Sequence, residues 1–240
     1  MDVQAIIFDK DGTLMRFNSF WVEVSRCAAG AILQRLGRED IHVEKLLGAL
    51  GVVDDTADID GLLCKGTYEQ IGLVIGEVLR ECGVDVSDSD IVEMTLSAYN
   101  ENADAGKIEP ACENIRAVLE RLKGGKRRLA VVTTDDLQIT RKCLAGLGID
   151  DLFDRVYTDD GKNPVKPNPR CAEEFLSEFG IPTQKAVMVG DTMTDIRFAR
   201  NAGIFVIGVG ETQKSRERLM PYADVVIPDI SYMPDIIEGE

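Results

Sequence analysis

Asp9 and Asp11 stand two residues apart, just past an apolar run, in the stretch Ala5-Ile6-Ile7-Phe8-Asp9-Lys10-Asp11-Gly12-Thr13-Leu14. Paired carboxylates can attack an electrophile, move a proton or hold a cation. Two further polar sets also follow apolar runs. Thr133-Thr134-Asp135-Asp136 comes after Leu129-Ala130-Val131-Val132, and Gly190-Asp191 comes after Ala186-Val187-Met188-Val189. Lys166, in the Pro-rich loop Asn163-Pro164-Val165-Lys166-Pro167-Asn168-Pro169, adds a fixed positive charge. Hard oxygen ligands of this kind suit Mg²⁺, which is held by few carboxylates together with waters and substrate phosphate. Carboxylates, hydroxyls, backbone N–H groups and an ammonium on one rim would serve phosphoryl transfer. That chemistry needs a nucleophile, a cation over the phosphate oxygens and donors for developing negative charge.

Such convergence requires a particular scaffold. The apolar run before Asp9 does not alternate with polar residues, so it reads as a strand buried on both faces. Gly12 then lets the chain turn sharply. Further strands are expected at Leu129–Val132, Arg155–Tyr157, Ala186–Val189, Phe205–Ile207 and Asp224–Ile227. Helical spacing falls between them, at Leu137–Leu147, Phe175–Phe179 and Asp195–Asn201. Strands alternating with helices imply a parallel sheet with right-handed crossovers. Its carboxyl rim, where open α/β sheets bind ligands, would collect the polar sets.

One segment breaks the alternation. From Asn18 to Leu36 apolar residues recur at helical spacing, with Asn18 or Ser19 as candidate cap and Gly37 as terminator. Helical periodicity returns around Val43–Leu50, Tyr68–Cys82 and Asp90–Tyr99. The stretch therefore reads as a nearly all-helical insertion, with Trp21 in its core and Lys65-Gly66-Thr67 as a polar break that could read a substrate.

Composition narrows the function. A net charge of −15 argues against a nucleic-acid partner, since phosphate contacts need clustered Lys and Arg. A bound cation can still draw a small anion into an acidic cleft. The six cysteines are scattered without a C-x-x-C pair, which fits a reducing compartment better than a disulfide framework or a zinc site. His42 is the only histidine, which disfavours a Ser-His-Asp triad or a histidine-rich metal centre. No apolar run approaches membrane-spanning length, and no signal-type segment precedes the first strand. These features together predict a cytoplasmic protein.

Asp9-Lys10-Asp11-Gly12-Thr13, Thr133 after its strand, Lys166 before Pro167, and Gly190-Asp191-Thr192-Met193-Thr194-Asp195 resemble the four motifs of the haloacid dehalogenase-like superfamily, in order and spacing. The core resemblance covers residues 1–16 and about 108–228, and the helical stretch resembles that family's inserted cap of the first type. It implies an α/β fold with a Rossmann-like parallel sheet core at 1–16 and 108–240, and an inserted α-helical cap domain at 17–107. It further implies that Asp9 is the nucleophile and Asp11 the general acid and base. Asp9, the Asp11 carbonyl and Asp191 would hold Mg²⁺, with Asp195 bonding around the metal. Thr133, the Thr134 N–H and Lys166 would hold the phosphoryl group. Arg16 and Thr134 depart from relatives with this cap type, which often carry an acidic residue and Asn there.

An acid at position 11 suits a leaving alkoxide, and the dehalogenase and phosphonatase branches lack it. What the resemblance implies is a phosphatase acting on a small phosphorylated metabolite, of the phosphoglycolate phosphatase type, with phosphoglycolate or a sugar phosphate as substrate. Two alternatives stand beside it. One is a phosphomutase of the β-phosphoglucomutase type. The other is a phospho-aspartate signalling switch without turnover. The oligomeric state is not legible in the sequence.

Overall fold

The computed structural model describes residues 1–159 and 166–239. The chain divides into two compact units, Met1–Arg16 with Ile108–Glu240, and Phe17–Lys107. In chain order the first unit opens with β1 (Ala5–Phe8). The second unit contributes a wide helical turn at Asn18–Val22, α1 (Glu23–Arg35), α2 (Val43–Ala49), β2 (Val52–Val53), β3 (Thr56–Ala57), α3 (Leu62–Lys65), α4 (Tyr68–Glu81) and α5 (Asp88–Asn102). The first unit resumes with α6 (Ile115–Gly124), β4 (Arg128–Val132), α7 (Leu137–Gly146), β5 (Arg155–Tyr157) and α8 (Arg170–Phe179). It closes with β6 (Ala186–Gly190), α9 (Met193–Ala202), β7 (Phe205–Val209), α10 (Gln213–Leu219), β8 (Val225–Ile227) and α11 (Met233–Glu238).

The described strands of the first unit form one parallel six-stranded sheet in the order β5-β4-β1-β6-β7-β8. Strand β1 lies in the middle with every side chain buried. Its alternate residues feed two cores. Ile6 and Phe8 join Leu119 and Leu122 of α6 and Met233 and Ile237 of α11. Ala5 and Ile7 face Phe175 of α8 and Phe198 of α9. Each such buried Ile or Phe contributes about 1.5–3 kcal/mol, which ties the strand that carries the chemistry to both helical layers. The chain leaves β1 toward β4 and leaves β6 toward β7, in opposite directions along the sheet. The carboxyl ends of β1 and β6 therefore flank a switch point, the usual place for a ligand in an open α/β sheet.

The second unit is helical with one exception. Strands β2 and β3 pair antiparallel across Asp54 and Asp55, whose φ values of 49° and 58° are left-handed. Such a turn is most often signalled by glycine. Two aspartates adopt it here because their short polar side chains tolerate that region, and the sequence reading passed over the hairpin for the same reason. Neither Asn18 nor Ser19 caps the first helix. Helical winding begins directly after Phe17 with no side-chain cap, and the Asn18 Oδ1 accepts the Ala57 N–H at 3.0 Å instead. Gly37 ends that helix at φ 62°. Trp21 is buried edge-on to Phe20. In the Lys65-Gly66-Thr67 break, Lys65 pairs with Asp60, and Thr67 caps α4 in a reciprocal arrangement with Gln70. Helices α6 and α11 escaped the sequence reading, being short amphipathic segments beside a basic cluster and the chain end.

Among the described residues no helix is long and apolar enough to cross a membrane, and no disulfide joins the cysteines.

Candidate active site

Asp9 begins where β1 stops. Its N–H still bonds the Val189 carbonyl at 2.8 Å, so the backbone is held against β6 while the side chain reaches past the sheet. The turn after it is tight, with the Lys10 carbonyl accepting from Leu14 at 2.8 Å and from Met15 at 3.1 Å. Gly12 adopts φ 78° in this turn, and a Cβ there would stand 2.2 Å from the Asp191 Oδ2. Glycine is needed for conformation and for space alike.

Asp191 follows β6, and Thr192 caps α9. The Thr192 Oγ1 accepts the Asp195 N–H at 3.4 Å, while the Asp195 Oδ2 accepts from the Thr192 N–H at 3.0 Å and its hydroxyl at 2.6 Å. The second Asp195 oxygen accepts from the Lys166 Nζ at 2.7 Å. The same ammonium pairs with Asp9 Oδ1 in a short buried contact. Asp195 thus both caps a helix and anchors the lysine. Gly190 is the position that admits it, since a Cβ there would lie 2.4 Å from the Asp195 Cβ.

The carboxylates of Asp9, Asp191 and Asp195 offer oxygens that all lie within 4.8 Å of one another. Three carboxylates against one ammonium leave a surplus of two negative charges. Burial raises the Asp9 carboxyl, Lys166 draws it down, and Asp195 and Asp11 push it up again, to about 7. Burial and the neighbouring Asp9 and Asp195 push Asp191 well above the usual carboxylate range. Burial opposes the charge on Lys166, yet Asp195 and Asp9 outweigh it and hold the ammonium above its ordinary value. The Asp191 Oδ1 is buried with no hydrogen-bond partner among the described residues. A buried oxygen of that kind is costly, and a divalent cation would satisfy it and offset the surplus charge. The donor set, hard oxygens with few carboxylates, fits such an ion.

The other residues singled out from the sequence fall around this cluster in different ways. Thr133 is buried at the end of β4, where its N–H bonds the Tyr157 carbonyl at 3.0 Å and its Oγ1 accepts from the Asp135 N–H at 3.2 Å. Thr134 beside it is exposed. The Asp11 carboxyl turns to Lys10, with its Oδ2 at 2.6 Å from the Nζ. Arg16 pairs with Glu211 in solvent. Asn163, Pro164 and Val165 of the Pro-rich loop lie outside the described residues.

Two side chains at this rim were not anticipated. Lys10 is fully buried, and its ammonium also meets the Asp135 Oδ2 at 2.7 Å. Burial opposes its charge, yet Asp11 and Asp135 outweigh that and hold it above the ordinary lysine range. Burial likewise raises the Asp135 carboxyl, against the pull of Lys10, to about 7. The signal was present as a basic residue inside an acidic turn and an acidic pair after Thr134, but nothing in the linear order joins them.

Comparison with known proteins agrees with this geometry. Over residues 3–203 the chain matches the haloacid dehalogenase-like hydrolase family. It is 27% identical to a phosphoglycolate phosphatase of Psychrobacter arcticus over 209 residues, 87% of this chain and 84% of that one. It is 28% identical to the pyrophosphatase PpaX of Halalkalibacterium halodurans over 155 residues, 63% of this chain and 70% of that one. A solved subfamily IA hydrolase of that superfamily from Geobacter sulfurreducens superposes with a TM-score of 0.67 at 21% identity, covering 98% of this chain and 97% of the other, a likeness of fold. With the family matched over most of its length and a buried acidic cluster at the switch point of its sheet, the chain belongs to the haloacid dehalogenase-like hydrolases.

Proposed function

We propose that the protein is a Mg²⁺-dependent phosphatase that hydrolyses a small phosphorylated metabolite, phosphoglycolate or a sugar phosphate, in the cytoplasm. The observation that carries this reading is the buried Asp9 carboxylate, paired with Lys166 and set beside an Asp191 oxygen that lacks a partner among the described residues. The names of the relatives, a phosphoglycolate phosphatase and a pyrophosphatase, support phosphoryl chemistry.

Asp9 attacks phosphorus, so that a carboxylate oxygen bonds to it as the bond to the ester oxygen breaks. Asp11 gives a proton to the leaving oxygen. It then takes one from the water that attacks the aspartyl-phosphate, which frees inorganic phosphate and restores Asp9. The Thr133 hydroxyl and the Thr134 N–H bind phosphoryl oxygens, and Lys166 balances charge between Asp9 and the transferring group. Asp9, Asp191 and the Asp11 carbonyl would hold the cation, with Asp195 beside them, and it would offset the repulsion between the phosphate and these carboxylates. Residues 17–107 act as a helical cap that shields the first step from water. The chain's net charge of −15 speaks against a nucleic-acid substrate.

A panel of phosphate esters assayed with Mg²⁺, for wild type and Asp9→Asn, tests this reading. Wild type should release phosphate from at least one small ester and Asp9→Asn from none. Normal turnover by Asp9→Asn would falsify the mechanism. With β-glucose 1-phosphate and a trace of bisphosphate, isomerisation outrunning phosphate release would replace hydrolysis by mutase chemistry. A long-lived phosphoaspartate without turnover would instead mark a signalling switch.

A further inference from the structure

We propose that Lys10 and Asp135 are positioning residues that fix the Asp11 carboxyl for proton transfer to the leaving oxygen, an inference that rests on the phosphatase reading above. The ammonium of Lys10 lies between two carboxylates, 2.6 Å from the Asp11 Oδ2 and 2.7 Å from the Asp135 Oδ2, with no side-chain surface of its own exposed. The two carboxylates thus share one ammonium, which holds the three groups together.

Each anchor is itself held. The Lys10 carbonyl gathers the N–H groups of the turn, and the Lys10 Nζ lies 3.7 Å from the Met15 Sδ. The Asp135 N–H donates to the Thr133 Oγ1 at 3.2 Å, and the Asp135 carbonyl accepts from the Asp159 N–H at 2.8 Å. Of the three, only the carboxylates reach solvent, Asp11 with 14% and Asp135 with 18% of the side chain exposed. Asp11 is thus offered at the rim while its carboxyl is gripped from behind.

A buried ion-paired cluster is a poor way to gain stability, because desolvation consumes most of the Coulombic attraction and apolar replacements are often neutral or better. What such a cluster does well is hold one geometry. A proton donor out of place by an ångström loses much of its effect. The ammonium of the cluster bears directly on the Asp11 carboxyl, so its influence should fall first on the step that needs an acid.

The leaving group separates this role from a merely structural one. An alkoxide needs protonation as it departs, whereas p-nitrophenolate leaves readily without it. Because kcat/KM reports only the steps through formation of the aspartyl-phosphate, it isolates the acid role of Asp11 from its later role as base. Wild type, Lys10→Met, Asp135→Asn, the double variant and Asp11→Asn are assayed with Mg²⁺ on p-nitrophenyl phosphate and on the best alkyl phosphate of the panel.

In both single variants kcat/KM on the alkyl ester should fall about 30-fold or more, while p-nitrophenyl phosphate changes less than about threefold, the same bias as Asp11→Asn. The double variant removes the ammonium together with one of its two carboxylates and leaves Asp11, which reaches solvent, so thermal melting should show it folded. It should nonetheless keep the alkyl-ester defect. Equal losses on both esters, or an alkyl-ester rate restored in the double variant, would overturn the positioning role while leaving the phosphatase reading intact. Failure of the wild type to cleave either ester would overturn both.

Discussion

Gly12 and Asp191, far apart in sequence, share a space that only a residue without a side chain allows: a Cβ on Gly12 would stand 2.2 Å from the Asp191 Oδ2 and 2.6 Å from its Cγ. The turn after Asp9 and the carboxylate after β6 are therefore fitted to each other. Gly12→Ala forces one of them to move, and its φ of 78° adds about 1–2 kcal/mol of backbone strain. We expect kcat/KM to fall about 100-fold with a melting temperature several degrees lower. Wild-type kinetics in Gly12→Ala would contradict this fit.

Stability should depend on pH in an unusual sense. The folded protein raises Asp9 and Asp135 from the ordinary 3.8 to about 7, and Asp191 well above 3.8. Between these values the unfolded chain has released protons that the folded protein still binds, so rising pH costs stability. Asp40 and Asp151, held low by hydrogen bonds from Arg38 and Arg116, act only below that window. In chelator, thermal melting should give a higher Tm near pH 5 than near pH 7.5. Added Mg²⁺ should raise Tm at the higher pH and hardly at the lower.

Asp191→Asn removes a buried charge whose Oδ1 has no hydrogen-bond partner among the described residues. Without metal the variant should be at least as stable as wild type, because a group kept for function is commonly held at a cost in stability. The gain of Tm with Mg²⁺ should shrink or vanish, and turnover should drop by about 100-fold or more. Melting curves with and without the cation, set beside phosphate release, decide it. A variant that keeps the full Mg²⁺ response would remove Asp191 from the metal site.

Lys166→Met takes away the ammonium that serves Asp9 and Asp195. Breaking a buried pair by removing one partner costs about 3–5 kcal/mol, since the remaining charges stay uncompensated. Urea denaturation at pH 7.5 should show that loss, and acidification should recover part of it as the carboxylates take up protons. The metal-induced gain in Tm should grow, since the cation then meets carboxylates that have lost the Lys166 ammonium. Unchanged stability at both pH values would mean that the ion pairs contribute nothing.

Much of the sheet was legible because its physics is local. Strands buried on both faces must be apolar throughout, and β1, β4 and β6 stand out as such runs ending in polar residues. The hairpin of β2 and β3 was not legible, since its left-handed turn is built from Asp54 and Asp55 rather than glycine. Helix α11 was missed as well. It is short, and its packing against α6 and the first unit's core is what holds it.

Residue order alone dictates which side chains arrive at the carboxyl rim, because Asp9, Thr133 and Asp191 each follow an apolar run and parallel strands point one way. Their partners come from the fold. Asp195 is a helix cap in the linear order, and becomes an anchor for Lys166 because Gly190 gives its side chain room. Asp11 and Asp135 are remote in sequence, and meet through Lys10 because β1 and β4 lie side by side. Charge pairing of this kind acts through space at a few ångströms and carries no period along the chain, so it becomes visible only when the strands are set next to one another.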